Sequence, residues 1–307
     1  MILNLRTNLK RSINLTFLHT HSHGASLSYL HPLWDGLLDT LKTIPFLFLA
    51  YLLMEFIEHK SSEKMENTLG KIGKGGPLVG SLLGCVPQCG FSASASNLYT
   101  AGLVTEGTLI AVFLATSDEA IPILISNPES YGSIWKIIVA KLIIGITVGF
   151  AVDIALKLLK IKKVSVDMCR DCGCEEQEGI LKPAIIHTLK TTIFVLIVNL
   201  IIGYAIFFIG QDNLSKLLLS DHYAQPFITA FLGLIPNCAI STAITTLYVN
   251  GSLSFGATLA GLCSGAGVGV AVLLKSNPIK KENLRIIITM YLVSALVGFV
   301  LMLFGVN

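Results

Sequence analysis

Two cysteine-bearing stretches carry the residue types that could do chemistry. The first is Gly84-Cys85-Val86-Pro87-Gln88-Cys89-Gly90-Phe91-Ser92-Ala93-Ser94-Ala95-Ser96-Asn97, and the second is Gly233-Leu234-Ile235-Pro236-Asn237-Cys238-Ala239-Ile240-Ser241-Thr242-Ala243-Ile244-Thr245-Thr246. In each, a proline and a carboxamide precede a cysteine, and hydroxyls follow at spacings of three and four: Cys89, Ser92, Ser96 and Cys238, Ser241, Thr245. On a helix that spacing puts the side chains on one face. A proline suits the first turn of a helix and breaks one that precedes it, so Cys89 and Cys238 are expected near two helix N-termini. Exposed N–H groups and the positive end of the helix dipole stabilise a thiolate there. Two such thiolates facing each other, with Cys85, would suit arsenite or a soft divalent ion, while Gln88, Asn97 and Asn237 supply harder oxygen donors. Two other readings stay open. The cysteines could be small residues chosen for close helix packing, and helix N-termini without thiolate chemistry would favour an oxyanion.

Harder donors come from Thr116-Ser117-Asp118-Glu119, inside an apolar run. Adjacent carboxylates at membrane depth are costly unless paired, hydrated or bound to a cation, so Asp118 and Glu119 are candidates for a divalent ion or a coupled proton. Their alternative role is an interfacial pair at a helix end, or a partner for Lys136 or Lys141. The equivalent place in the second half, Gly265 to Gly269, has no acid. Two further clusters lie in polar segments. Cys169, Cys172 and Cys174 form C-x2-C-x-C, a soft-metal arrangement that lacks a fourth tetrahedral ligand and reads as regulatory rather than transporting. His19, His21 and His23 form a short tract that binds a divalent ion through neutral imidazoles or is simply a solvated tail.

The elements that must position these groups follow from composition. The chain has 307 residues, 53% hydrophobic and only 13% charged, which cannot coat a water-soluble globule. Several apolar runs approach bilayer-spanning length. The net charge of +3 sits in basic residues between apolar runs, which does not suggest nucleic-acid binding, and seven cysteines do not suggest a disulfide scaffold. No nucleotide-binding loop G-x4-G-K-[ST] occurs, so transport would be gradient-driven. An all-α, polytopic membrane protein is expected, with proline-broken or re-entrant helices and about ten membrane segments.

The second half repeats the first at a fixed offset: Pro87 and Pro236, Tyr99 and Tyr248, Gly107 and Gly256 are each 149 apart. This divides the chain into a His-containing tail at 1–38, one repeat at 39–159, a cytoplasmic Cys-rich linker at 160–186 and a second repeat at 187–307. Equivalent loops carry opposite charge signatures. The loop at 60–76 is basic and its partner at 211–225 is not; the loop at 127–133 lacks basic residues and its partner at 275–285 has four. Basic loops stay cytoplasmic, so the repeats are expected to be inverted with respect to each other.

The paired Cys-Val-Pro-Gln-Cys-Gly-Phe-Ser and Ile-Pro-Asn-Cys-Ala-Ile-Ser elements, with Thr-Ser-Asp-Glu-Ala and the central Cys-Gly-Cys-Glu-Glu, resemble the ten-helix heavy-metal exporters, also called arsenic efflux permeases, some of which are labelled manganese transporters. The resemblance covers residues 39 to 307. It implies a non-enzymatic, multi-pass inner-membrane permease that moves a manganese- or zinc-like divalent ion or arsenite. The implied partners are that ion, with a coupled proton and a homodimer as options, and the lipid bilayer. No cofactor is implied beyond a bound divalent metal ion. A transporter of a sulfur-containing anion and, further off, a non-transporting metal sensor are the competing readings.

Overall fold

The computed structural model describes residues 31–59, 75–86, 88–116, 120–127, 130–160, 181–209 and 223–305. Among them lie twelve α-helices: α1 (His31–His59), α2 (Gly76–Gly84), α3 (Cys89–Thr100), α4 (Glu106–Ala115), α5 (Ala120–Ser126), α6 (Tyr131–Leu158), α7 (Leu181–Ile209), α8 (Gln225–Gly233), α9 (Cys238–Val249), α10 (Phe255–Ser264), α11 (Val268–Ser276) and α12 (Lys280–Leu303). The bounds of α2, α3 and α4 become those of α8, α9 and α10 on adding 149 to each (76 to 225, 89 to 238, 106 to 255). The duplication in the sequence is thus a duplication of elements.

Several boundaries differ from expectation. α1 starts at His31 instead of Asp39, so a portion of the expected tail is helical. Pro32 fits a first helical turn, and Leu33, Trp34 and Leu37 continue the apolar pattern ahead of Asp39. Lys280, Lys281 and Arg285, expected in a basic loop, lie on the first turns of α12, and Lys275 lies in the last turn of α11. The acidic Glu282 in the first turn of α12 suits that helix end.

In each half, three helices form a tight unit: α2, α4 and α6 in the first, α8, α10 and α12 in the second. Glycines make the close approach possible. A Cβ at Gly107 would come within 2.1 Å of the Gly149 carbonyl, and one at the equivalent Gly256 within 2.4 Å of Gly298. α2 lies along α4 in the same sense, with Gly76 against Thr108 and Gly84 against Val112 and Ala115. The chain must therefore come back through α3 before α4 begins, so α2 and α3 form a helical hairpin. The halves interlock by exchange, α3 packing on α11 and α9 on α5.

Six helical segments are long and apolar enough to cross a bilayer: Pro32–Leu53, Glu106–Ser126, Tyr131–Leu158, Leu181–Phe208, Phe255–Ser276 and Lys280–Leu303. Glu106–Ser126 and Phe255–Ser276 are mostly buried at the centre. α1, α6, α7 and α12 present large apolar side chains outward, among them Leu49, Trp135, Ile154, Ile201 and Leu296. In water that surface would be untenable; in a bilayer it faces hydrocarbon, and the helices satisfy their own backbone groups. The molecule is a multi-pass membrane protein.

Candidate functional site

The two interruptions are built alike. α2 stops at Gly84 and α3 starts at Cys89; α8 stops at Gly233 and α9 starts at Cys238. In between, Gln88 N–H donates to the Val86 carbonyl and Asn237 N–H to the Ile235 carbonyl, both at 2.7 Å. The second of these is a three-residue turn centred on Pro236, whose fixed φ suits it. The proline thus sits ahead of the cap, and the carboxamide is the N-cap: Gln88 (φ −158°, ψ 114°) and Asn237 (φ −149°, ψ 136°) are extended. Cys89 and Cys238 are the first residues of their helices, where backbone N–H groups lack intrahelical partners. Pro87 itself lies outside the described residues.

The two carboxamides do different work. Asn237 Oδ1 accepts from Ala239 N–H at 2.8 Å and caps α9. Gln88 makes no such cap; its Nε2 donates to the Lys42 carbonyl on α1 at 2.6 Å. One turn back on α1, the Asp39 carboxylate pairs with Lys42 Nζ at 3.3 Å and lies within reach of the Cys238 thiol. α1 therefore gathers both interruptions: Gln88 from the first and Cys238 from the second meet within a single turn of it. Asp39 is a functional candidate that sequence reasoning missed. A helix beginning at Asp39 would make it a terminal residue; Pro32 is the signal that it lies two turns inside.

The hydroxyl stripes are spent largely on packing. Ser92 Oγ donates to the Cys89 carbonyl, Ser241 Oγ to that of Cys238, and Thr245 Oγ1 to that of Ser241. Ser96 Oγ reaches both its own helix, at Ser92, and the Gly269 carbonyl of α11. Ser92, Ser96, Asn97 and Thr245 are fully buried, and Ser92 lies against Gly269. Asn97 Oδ1 accepts from Ser276 on the same α11. The first stripe is thus the seam between the halves. Cys89 is buried with Leu47, Tyr51, Ala93, Val268 and Val272, whereas Cys85 is half-buried within the interruption. Among the described residues no three His, Cys, Asp or Glu side chains are grouped as a metal site.

Asp118 and Glu119 lie outside the described residues, in the gap between α4 and α5. So do the linker cysteines Cys169, Cys172 and Cys174 and the tail histidines His19, His21 and His23. Thr116, at the end of α4, is described, and its carbonyl accepts from Lys141 Nζ of α6. Lys141 is fully buried and lies within electrostatic reach of the Cys85 and Cys263 thiols.

A second polar assembly escaped the sequence reading. Arg285 of α12 grips Glu106 of α4 through two hydrogen bonds, the Nε one at 2.8 Å. Tyr99 donates to Glu282 at 2.9 Å and lies 3.4 Å from Glu106. Asn277 reaches Glu282 and Asn283. This ties the start of the first half's α4 to the start of the second half's α12. At the positions 149 away, Tyr248 donates to Ser133 at 2.8 Å and packs on Phe255, while Lys136 stands where Arg285 does and no acid stands where Glu106 and Glu282 do. The partners are 179 residues apart, so no local pattern announces them.

The model of a family described as "Putative, 10TM heavy-metal exporter" matches residues 35–211 and 188–306 of this chain. Among the described residues six segments are long and apolar enough to cross a bilayer; the ten of that description is the family's number. No curated protein and no solved structure matches the chain.

Proposed function

The chain belongs to the ten-transmembrane heavy-metal exporter family, and from that premise we propose that it is a gradient-driven permease whose ion passes between the two interrupted hairpins. The observation that carries this is the convergence on α1. Cys238 and Asp39 offer a thiol and a carboxylate side by side, and Gln88 brings the opposite interruption to the same turn. A thiol at the first residue of a half-helix, beside a carboxylate and an ammonium, is a place where a soft or borderline ion displaces a proton from sulfur. The cargo is a divalent heavy metal of manganese or zinc type, or arsenite, with Cys89, Asp118 and Glu119 as further donors along the path. The entering ion would displace the Cys238 proton to the side it enters from, and the thiolate would regain a proton from the exit solution as the ion leaves, which couples transport to the proton gradient.

Alternating access is taken to arise from two inverted repeats with re-entrant hairpins, in the inner membrane. The helix ends support this reading. The start of α4 meets the start of α12 through Glu106 and Arg285, whereas the start of α10 meets the end of α12 through Gly256 and Gly298. α4 and α10 thus run in opposite directions along the same neighbour, as inversion requires.

Inside-out vesicles loaded with single metals, read by elemental analysis, test the proposal. Uptake of a heavy metal or arsenite driven by a proton gradient is expected, and it should be lost in Cys238→Ala and in Asp39→Asn with insertion unchanged. Undiminished uptake in both variants would remove α1 and Cys238 from the path. For topology, an impermeant thiol reagent on a cysteine-free background should reach positions 130 and 218 from outside, and 65 and 281 from the cytoplasm. Labelling of 65 and 218 from the same side would exclude inversion.

A further inference from the structure

Lys141 is a buried cation that the proposed path does not use. It lies ten residues into the 28-residue α6, about 15 Å along a helix that spans a core of about 30 Å. Its side chain is completely buried. An ammonium at that depth is costly unless its donors are met. Lys141 Nζ donates to the carbonyls of Thr116 and Leu262.

Those two carbonyls are the ends of the two central half-helices. Thr116 follows the last residue of α4, and its ψ of 129° turns the chain out of the helix. Leu262 lies in the last turn of α10, and the N–H that would continue its ladder, Ala266, turns instead to the Ser264 carbonyl. The last carbonyls of a helix lack intrahelical donors and carry the negative end of its dipole. Two such ends converging at mid-membrane, one from each half, make the kind of oxygen cage that holds a monovalent cation in broken-helix transporters. Here a side chain supplies the charge.

The repeat provides its own comparison. The residue 149 positions on from Lys141 is Met290, also completely buried, and Gly265 stands where Thr116 does. A long, unbranched, neutral side chain therefore fits this place in the fold, and the charge at 141 is not needed to fill space. Among the described residues, the titratable groups that face Lys141 include Cys85 from the first interruption and Cys263 from α10, and Asp118 and Glu119 follow Thr116 in the sequence.

We propose that Lys141 is a tethered cation occupying an ion site built from the carbonyl ends of α4 and α10, so that the two central half-helices are held together without a free ion. This inference does not depend on which metal is transported or on Cys238.

Thermal unfolding of the purified full-length protein tests it, in buffers whose cation is sodium, methylammonium or the bulky N-methylglucamine. The wild type should unfold at one temperature in all three. Lys141→Ala should unfold lower in N-methylglucamine and recover some of the loss in sodium or methylammonium, which can enter the vacated cage. Lys141→Met, which keeps the volume, should unfold lower in all three with no recovery. If the alanine variant yields no folded protein, the methionine variant alone decides. A methionine variant as stable as the wild type would overturn the proposal, as would an alanine variant that no small cation restores.

Discussion

Replacing Arg285 with methionine isolates the tie between the two halves. Arg285 holds both oxygens of Glu106, whose side chain is 5% exposed, while the arginine side chain is 34% exposed. Breaking a buried ion pair by removing one partner costs about 3–5 kcal/mol, because it strands the other charge. Water reaches the arginine side here, so the pair is screened and the cost falls to roughly 2–3 kcal/mol. Tyr99, 3.4 Å from Glu106, offers only a weak substitute. At about 2–4 °C per kcal/mol, the midpoint of thermal unfolding should drop by roughly 4–12 °C. The double variant Glu106→Gln with Arg285→Met removes the stranded charge and should return to within about 1 kcal/mol of the wild type. Differential scanning fluorimetry or light scattering of the four proteins in one detergent completes the cycle. An Arg285→Met protein that melts with the wild type would show the pair to be energetically idle. A double variant that loses the sum of the two single losses would show that the residues act separately, which the geometry does not allow.

Other outcomes follow from the same geometry. Asn237→Ala should cost about 1 kcal/mol as a lost helix cap, whereas Gln88→Ala should leave α3 capped as before and loosen its tie to α1, seen as faster labelling of Cys85 by a thiol reagent. Gly256→Ala forces a Cβ to within 2.4 Å of the Gly298 carbonyl and should cost about 1–3 kcal/mol by overpacking, while Gly132→Ala, with open space around it, should melt as the wild type does. Asp118→Asn with Glu119→Gln should abolish the proton release that accompanies metal binding, counted by calorimetry in buffers of different ionisation enthalpy; unchanged release would take that pair off the path. Serine in place of Cys169, Cys172 and Cys174 should weaken metal binding while leaving transport measurable.

What the sequence reveals here is what lies near in sequence or repeats at a fixed interval. The prolines announce both interruptions, because a missing N–H acts on the turn that contains it. The offset of 149 predicts element bounds that recur residue for residue from α2–α4 to α8–α10. The hydroxyl stripes are also legible as one face of a helix, but their use is not. Ser92, Ser96 and Thr245 meet backbone carbonyls of their own helix, which any buried serine or threonine can do, so their spacing marks a packing face as readily as a binding face. The ties of Asp39 to Cys238, of Lys141 to the ends of α4 and α10 and of Glu106 to Arg285 were illegible for the opposite reason: these partners lie 25 to 199 positions away and are set only by tertiary packing.

Those long-range contacts are where the two repeats cease to be equivalent. Lys141 is answered by Met290, Glu106 by Phe255 and Glu282 by Ser133, whereas Arg285 keeps a basic counterpart in Lys136. Under the proposed inversion the backbone gives the molecule two matching ends, and a transporter made only of backbone would open both at equal cost. The side chains remove that equality. Opening at Tyr99 must separate Glu106 from Arg285 and Tyr99 from Glu282, charge-assisted bonds worth roughly twice a neutral bond. Opening at Tyr248 must break a neutral hydrogen bond, to Ser133. Under the proposed cycle the end closed by Tyr99 is held shut at rest, and an ion must supply differential binding between the two states before it opens.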